Sequence, residues 1–249
     1  DVYKRQPDDF GQYGDRPTHP LLLDYLASEF VNNGWSVKQL IREIVLSRSY
    51  QLSANASPSL MEVDAENRLL TRHLRQRMDA EAIRDGMLSA SGELDLAPAS
   101  GSIVQHRDIL VNLAGNLHQP SRHRSVYLCY LRSSPPPELA PFNLPDFTQV
   151  IGQRETTMIS SQSLHLMNSA FVIRQSELLA ELVLKNSTEN VQRIRDVYRR
   201  VLRRDPRPSE ITDASNFVSH HGANADEQSK AWASVCQALF MTNEFRYVD

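Results

Sequence analysis

The stretch that decides the fold runs from Arg122 to Val172 and reads RHRSVYLCYLRSSPPPELAPFNLPDFTQVIGQRETTMISSQSLHLMNSAFV. It passes from an apolar run, through a proline-dense segment and a loop of mixed charge, into the longest helical pattern of the chain. The triplet Pro135-Pro136-Pro137 excludes a helix, because proline lacks an amide donor and its ring clashes with the preceding turn. The stretch therefore predicts an irregular polar centre that leads into a helix.

The helical pattern begins near Ser160, directly after the loop. Its apolar residues follow a period of about 100° per residue and share one stripe. These residues are Leu164, Met167, Phe171, Leu178 and Leu182. The same spacing places the amides of Asn168 and Gln175 inside the stripe. A buried amide needs a hydrogen-bond partner, and leaving it without one costs roughly 1 to 3 kcal/mol.

The loop before this helix offers partners for the two amides. Its polar side chains near the helix start are Asp146, Arg154, Glu155, Thr156, Thr157 and Gln162. A network of such groups either fixes an irregular loop or forms a ligand-binding or catalytic site, and the sequence leaves both readings open. Structural networks also perturb titratable groups, so the pattern alone does not establish a site.

The segment from Ser125 to Arg132 favours a strand. One face would carry Val126, Leu128 and Tyr130, and the other would carry Tyr127, Cys129 and Leu131. A strand that is apolar on both faces is typical of a buried position. We therefore predict a small β ribbon here, within an irregular region over 96–159. His118 and His123 lack the HExxH spacing and a local cysteine, so we predict no metal ligand among them and no cofactor.

Two helices are expected near the start of the chain. Thr18-His19-Pro20 opens the first, and Asn32-Asn33-Gly34 closes it. Ser36 is a suitable N-cap for the second. The apolar residues of the second helix match the amphipathic template and are Val37, Leu40, Ile41, Ile44 and Val45. The pattern predicts a helical hairpin with a short connection.

Further helical patterns cover Asp64 to Leu74 and Asp79 to Leu94, and Gly92 marks their end. Their arginines are Arg68, Arg72, Arg75, Arg77 and Arg84. Acidic residues interleave with them, whereas a phosphate backbone is bound by stripes of a single sign. We therefore interpret these arginines as a solvated helix face and expect no nucleic-acid partner.

The last part of the chain is predicted to be helical again, over 160–249. Its clearest amphipathic pattern is Val191, Ile194, Val197, Tyr198, Val201 and Leu202. The segment Asp205-Pro206-Arg207-Pro208 ends it, and Ser209 with Glu210 begins the next helix. A final apolar stripe follows from about Asp226.

Composition bounds the class of protein. The 249 residues are 41% hydrophobic and 23% charged, with a net charge of −3, which is ordinary for a globular chain and gives no general attraction to nucleic acid or anionic membranes. No apolar run approaches the roughly 20 residues of a bilayer span. Cys129 and Cys236 lie among apolar neighbours, which favours free buried thiols over a disulfide. The fold class is thus mainly α: a multi-helix globular domain with a small β ribbon and a long irregular central loop.

The domain organisation is predicted to be simple. Residues 1–6, DVYKRQ, read as a non-native scar from a sequencing adapter, so that the native chain is an N-terminally truncated fragment. A single domain is expected over 7–249. It would be helical over 17–95 and 160–249, with the ribbon and proline-rich loop over 96–159.

Several stretches resemble the planctomycete-type domain of unknown function 1553, in the order of that family. They are RPTHPLLLDYLASEFVNNGWSVKQLIREIVLSRSYQLS, ENRLLTRHLRQRMDAEAIRDGMLSASGELD, RSVYLCYLR, PFNLPD, QRETTMISSQSLHLMNSAFV and NEFRYVD. The resemblance implies the C-terminal domain of a large exported protein, behind another uncharacterised domain and often a cytochrome-c-like domain. It therefore implies a periplasmic or otherwise extracytoplasmic location. No CxxCH haem-attachment motif occurs in this chain.

The family pattern matches residues around the polar centre. The matching positions are Arg124, Ser125, Tyr127, Phe142, Pro145, Asp146, Arg154, Thr157, Gln162 and Asn168. Our candidate polar centre takes Arg124, Tyr127, Asp146, Arg154, Thr157, Gln162 and Asn168 from them. The chain departs from the family at Met158 and Ser160, where threonine and then proline are usual, and at Asn143, where aspartate is common.

Two functional hypotheses follow. The first is a non-catalytic interaction or structural module that docks against the preceding domain of its own polypeptide. It rests on the lack of a nucleophile–base motif, metal spacing or phosphate loop in the sequence. The second is an enzyme or a small-ligand site, with carbohydrate as one candidate ligand, centred on the loop over 142–168. In it Asp146 would act as acid or base and Arg154 would hold an anionic group.

Overall fold

A computed structural model describes residues 16–99, 118, 120–130, 135–145, 154, 156–157, 159–222 and 224–248. This part of the chain is mainly α-helical with a two-stranded sheet, which confirms the predicted fold class. The chain divides into two compact units. Unit 1 comprises 1–76 with 151–153 and 249, and unit 2 comprises 77–150 with 154–248. The expectation of a single domain over 7–249 stays a prediction.

Unit 1 contains the predicted helical hairpin. Its helices are α1 (Pro20–Asn32), α2 (Val37–Leu46) and a short α3 (Pro58–Val63). Gly34 takes a φ of 69° in the turn, a conformation that glycine adopts without steric penalty. The side chain of Ser36 accepts a hydrogen bond from the backbone N–H of Gln39 at 3.3 Å. The hairpin and its N-cap are therefore confirmed.

The segment from Asp64 to Leu74 is not helical, so that prediction is wrong. The carboxylate of Asp64 accepts hydrogen bonds from the backbone N–H groups of Arg68 at 2.7 Å and Leu69 at 3.1 Å. Asn67 has a φ of 52° and donates from its amide to the carbonyl of Arg72 at 2.8 Å. Such local bonds satisfy the backbone outside a helix, which is why Asp and Asn compete with helix formation.

Unit 2 contains the larger set of helices. They are α4 (Ala80–Ser91), α5 (Ser160–Asn168), α6 (Ala170–Asn186), α7 (Asn190–Leu202), α8 (Pro208–His221), α9 (Ala225–Phe240) and α10 (Asn243–Arg246). The strands β1 (Gln76–Arg77) and β2 (Tyr247–Val248) pair with each other. The helical patterns over 191–202 and from Asp226 are confirmed by α7 and α9.

The core of unit 2 forms around α6, which packs against α4, α5, α7 and α9. The side chains that meet there are buried: Ile83 and Met87 from α4, Leu179 and Val183 from α6, Ile194 and Val197 from α7, and Trp232, Cys236 and Phe240 from α9. Burial of a Leu- or Ile-sized side chain contributes about 1.5 to 3 kcal/mol. This packing holds α4 in place, and α4 carries several charged residues of the candidate site.

The long helix predicted from Ser160 is broken at Ser169. The φ and ψ of Ser169 are −66° and 126°, an extended conformation that ends α5 and starts α6. The break frees carbonyl groups at the end of α5, and the amide of Gln237 on α9 donates to those of Leu166 and Met167 at 3.1 and 2.9 Å. The predicted stripe is consequently wrong within α5, where Leu164 is 57% exposed and Leu166 is buried instead.

The ribbon predicted at Ser125 to Arg132 is also misplaced. Ser125–Tyr127 form a 3-10 turn, and Val126 is 68% exposed rather than buried in a strand. The chain turns here because Ser125 binds the carboxylate of Asp85 on α4 with both its N–H and its hydroxyl. Within the described residues, which exclude 131 and 132, the sheet is formed by β1 and β2.

Candidate functional site

Arg84 on α4 is the most buried charged side chain near the predicted polar centre, with 2% exposure. Its guanidinium donates to Glu138 at 2.5 Å, to the carbonyl of His123 at 3.0 Å and to the hydroxyl of Ser125 at 3.3 Å. It also donates to the carbonyl of Ser121. A single side chain thus ties α4 to two loop segments, which is the kind of fork that arginine makes and lysine does not.

The interpretation of the arginines at 68–84 as one solvated helix face is therefore wrong. Arg84 and Arg72 are both buried and both hydrogen-bonded to backbone carbonyls. Arg72 donates to the carbonyls of Asp64 at 2.7 Å and Ala65 at 2.6 Å within unit 1. The acidic residues that interleave with these arginines in the sequence predicted solvent exposure. In the structure, loop segments supply the hydrogen-bond partners that allow Arg72 and Arg84 to be buried.

Asp85 holds the 3-10 turn against α4. Its Oδ1 accepts from the backbone N–H of Ser125 at 2.8 Å and from the Ser125 hydroxyl at 2.6 Å, and it lies 3.6 Å from Nη1 of Arg84. Ser125 is completely buried. The backbone at Arg124 to Tyr127 therefore has a fixed position on α4.

Arg154 forms a bidentate ion pair with Glu81 on α4. The two Nη atoms of Arg154 lie 2.6 and 3.0 Å from the two carboxylate oxygens of Glu81. Tyr130 donates to the same carboxylate at 3.2 Å. Burial alone would raise the pKa of Glu81, but the hydrogen bond and charge of Arg154 outweigh it and the pKa is lowered. Burial and the neighbouring Glu81 raise the pKa of Tyr130, so it stays a neutral donor.

These groups surround a cleft beside the start of α4, which we call the α4 cleft. Its volume is about 440 Å³. Its lining residues are Asp79, Glu81, Ala82, Asp85, Arg124, Val126, Tyr130 and Arg154. Two of the predicted site residues, Arg124 and Arg154, are brought together here. The other charged and polar groups in the cleft were not predicted as site residues; they are Asp79, Glu81, Asp85 and Tyr130.

Thr157 and Gln162 belong to a second, more enclosed network with Arg77 and Asn143. Gln162 is 1% exposed; its Oε1 accepts from Arg77 at 2.8 Å, and its Nε2 donates to the side chain of Asn143 at 3.2 Å and to the Thr157 carbonyl at 3.1 Å. Arg77 also donates to the Thr157 carbonyl. Every polar atom of the Gln162 amide thus has a partner, and this network fixes the start of α5.

Asn143 explains one departure from the family pattern. Its φ is 58°, a left-handed conformation that asparagine and aspartate tolerate better than other non-glycine residues. Its Nδ2 donates to the hydroxyl of Thr157 at 2.7 Å, and its Oδ1 accepts from the Thr157 N–H at 3.3 Å. An aspartate would keep the backbone conformation but has no donor for the hydroxyl, so the threonine would have to donate instead. The departure therefore changes a hydrogen-bond direction in a loop.

The other candidate residues are dispersed. Asn168 is exposed and donates to the carbonyl of Leu164 in its own helix, so its placement in a buried stripe was wrong. Tyr127 lies on the 3-10 turn with 40% exposure and does not line the α4 cleft. Asp146 lies outside the described residues.

Gln175 is buried, as predicted, but its hydrogen-bond partner is not the predicted one. Its Oε1 accepts from the hydroxyl of Ser91 on α4 at 2.6 Å. The sequence predicts a partner from the loop before α5, and that prediction is wrong for Gln175. The sequence pattern places an amide on a buried helix face, but it gives no information on which helix lies opposite.

The residues that were missed, Arg84, Asp85 and Glu81, had one weak signal. They lie at i, i+3 and i+4 spacing in DAEAIRD at the start of α4, so Glu81 and Asp85 share a face. Alternating charges on a helix usually indicate solvent exposure, so the sequence pattern did not predict that these residues form a site.

The fold and site together define a mainly helical protein in which the buried Arg84 joins α4 to the segments around His123 and Glu138. The chain belongs to the PSD1 family, described as "Protein of unknown function (DUF1553)", whose family model matches residues 4–218. The resemblance to the domain of unknown function 1553 is thereby confirmed.

No curated protein and no solved structure matches the chain. Within the residues that the structure describes, no helix is both long enough and apolar enough to cross a membrane.

Proposed function

We propose that this chain is a non-catalytic interaction or structural module of a larger extracytoplasmic protein. In this proposal the α1–α2 hairpin docks against the preceding domain of the same polypeptide. The observation that carries it is the exposure of the hairpin: neither α1 nor α2 contains a buried residue. The preceding domain and the extracytoplasmic setting are suggested by the family resemblance.

The exposed apolar side chains of the hairpin are large. They include Leu21 at 83%, Tyr25 at 52%, Val37 at 59%, Ile41 at 54% and Leu46 at 59% exposure. An amphipathic helix normally places its apolar stripe against a core, and burial of such surface contributes about 25 cal/mol per Å². Large exposed apolar patches mark interaction surfaces. An apolar partner surface would therefore stabilise the hairpin.

Contacts within the hairpin also order its exposed apolar surface. Tyr25 donates a hydrogen bond from α1 to Glu43 on α2 at 2.7 Å, which helps to set the two helices relative to each other. Phe30 and Trp35 pack edge to face with ring centroids 5.3 Å apart. A preformed surface loses less conformational freedom on docking, so more of the burial energy is available for binding.

The alternative function, an enzyme or small-ligand site centred on 142–168, has less support from the described part of that loop. Asn143, Thr157 and Gln162 bind each other and Arg77, which indicates a network that fixes the loop. Arg154 instead pairs with Glu81 and contributes to the α4 cleft.

The docking proposal is tested with Val37→Asp. The chain is expressed alone and together with the region that precedes it in its parent polypeptide, and Tm and amide hydrogen exchange are measured. We expect the preceding region to raise the Tm and to protect the amides of α2. Val37→Asp should abolish both effects while leaving the Tm of the isolated chain almost unchanged, because Val37 is already 59% exposed there.

The matched control is Val191→Asp. Val191 is also an exposed valine in the first turn of a helix, at 41% exposure, but it belongs to α7 in unit 2. It should leave the coupling to the preceding region intact. The proposal fails if the preceding region neither shifts the Tm nor protects α2, or if the two aspartate variants weaken the coupling equally.

A further inference from the structure

The charges that line the α4 cleft divide into those that already have partners and those that do not. Glu81 and Arg154 neutralise each other through the bidentate pair at 2.6 and 3.0 Å. Asp85 accepts two hydrogen bonds from Ser125 and lies 3.6 Å from the buried Arg84. These groups build the wall of the cleft, and a ligand that engaged them would have to break existing ion pairs.

Arg124 is the cation of the cleft that keeps its charge available. Its side chain is exposed, and among the described residues its guanidinium forms no hydrogen bond or ion pair. Its backbone immediately precedes Ser125, which is completely buried and held by Asp85. The backbone of Arg124 therefore has a fixed position. The five N–H donors of its guanidinium have no acceptor among the described residues.

Asp79 is the corresponding anion. Its side chain is 65% exposed, and its nearest cation is Nη1 of Arg154 at 4.0 Å, a group that already binds Glu81. Asp79 occupies the N-cap position of α4 but its carboxylate caps no backbone N–H. The carboxylate of Asp79 therefore does not accept the backbone hydrogen bond that an N-cap aspartate usually accepts.

Among the described residues, the α4 cleft therefore presents one positive group without a partner, Arg124, and one negative group, Asp79, whose nearest cation lies 4.0 Å away and already binds Glu81. We propose that it binds a small molecule that carries both an anionic group and an ammonium group. Arg124 takes the anionic group and Asp79 takes the ammonium group. Ala82 and Val126 contact the part of the ligand between the two charges. This role goes beyond docking through the hairpin, and neither role depends on the other.

A volume of about 440 Å³ suits a small ligand rather than a polymer segment. A singly charged ligand would satisfy one of the two groups and would be repelled by the other, so the cleft should discriminate against it.

The test uses the full chain and a series of ω-amino carboxylic acids of increasing length, since the series samples different distances between the two charges. Each is compared by calorimetry and NMR titration with the carboxylate that lacks the amine and with the amine that lacks the carboxylate. We expect one length to bind at least about tenfold more tightly than both of its singly charged analogues.

Two variants assign the roles. Arg124→Gln should reduce the affinity for the best amino acid to that of the corresponding amine, and Asp79→Asn should reduce it to that of the corresponding carboxylate. The matched controls are Arg122→Gln and Asp226→Asn. Arg122 is an exposed arginine paired with Glu93 at 3.5 Å and lies outside the cleft, and Asp226 is an exposed aspartate in the first turn of α9.

The controls should bind as the unaltered chain does. The proposal is overturned if no member of the series binds, if a singly charged analogue binds as tightly as the best amino acid, or if the cleft variants match their controls. Failure of these binding tests would not contradict the docking of the hairpin on a preceding domain. Docking is tested separately with Val37→Asp, which alters neither Arg124 nor Asp79.

Discussion

Replacement of Arg84 by methionine should strongly destabilise unit 2. The change keeps most of the apolar stem but removes the guanidinium, so Glu138, the Ser125 hydroxyl and the carbonyl of His123 lose their donor. Removal of one partner of a buried ion pair costs about 3 to 5 kcal/mol. The side chains of Glu138 and Asp85 keep 24% and 21% exposure, so water can solvate them in part. We therefore expect a loss of roughly 2 to 4 kcal/mol.

The assay is urea unfolding followed by tryptophan fluorescence. The chain has two tryptophans: Trp232 is completely buried in the core of unit 2, whereas Trp35 is 67% exposed in unit 1. A Trp35→Phe background therefore makes the signal report on unit 2 alone. Both the Arg84 variant and its control are measured in this background.

The control is Arg174→Met on α6. Arg174 forms an i,i+3 pair with Glu177 at 3.6 Å, and both side chains are about half exposed, so its loss should cost no more than about 0.5 kcal/mol. The combination Arg84→Met with Glu138→Gln should recover part of the loss, since it removes the unpaired carboxylate. A cost below about 1 kcal/mol for Arg84→Met would refute the role of this arginine as the link between α4 and the loops.

The remaining predictions concern hydrogen bonds elsewhere in unit 2. Arg204 holds Glu210 in a fork of two 2.8 Å bonds and lowers the pKa of Glu210 to about 2, so stability that is present above about pH 4.5 should be lost as the pH falls towards 2. Glu210→Gln should flatten that acid limb, and an unchanged pH profile of Tm would contradict this. Gln175→Ala should cost about 1 to 2 kcal/mol because the amide is buried against Ser91, whereas Asn168→Ala, at an exposed position, should cost no more than about 0.5 kcal/mol; equal values in urea unfolding would show that burial does not separate the two amides.

Helix positions were predictable wherever the apolar period and the end signals agreed. The hairpin, α7 and α9 are examples, because each has a stripe of helical spacing together with capping or terminating residues such as Ser36 and Pro206. Where short polar side chains can bind their own backbone, the period misled. Asp64 and Asn67 close a turn within a segment whose apolar spacing resembles a helix. The prediction failed there because local hydrogen bonds competed with the helical ladder.

The polar centre shows a second limit. Its residue types were recognisable, but the sequence joined Arg154 with Thr157 and Gln162 because they are close along the chain. The structure separates them: Arg154 binds Glu81, 73 positions away, and Gln162 binds Arg77, 85 positions away. An arginine side chain reaches far enough to choose among several acceptors, so sequence proximity is a poor guide to its partner.

The sequence by itself determined the mainly helical class, the hairpin, the family and the presence of a polar centre before α5. These features follow from the periodicity and the types of residues that are close along the chain. Only the tertiary structure decided that Arg84 is buried, that α5 and α6 are separate helices, and that Arg124 and Asp79 face one cleft. Those features depend on which groups meet across the core. The burial of a charge is favourable only where distant parts of the chain supply its partners.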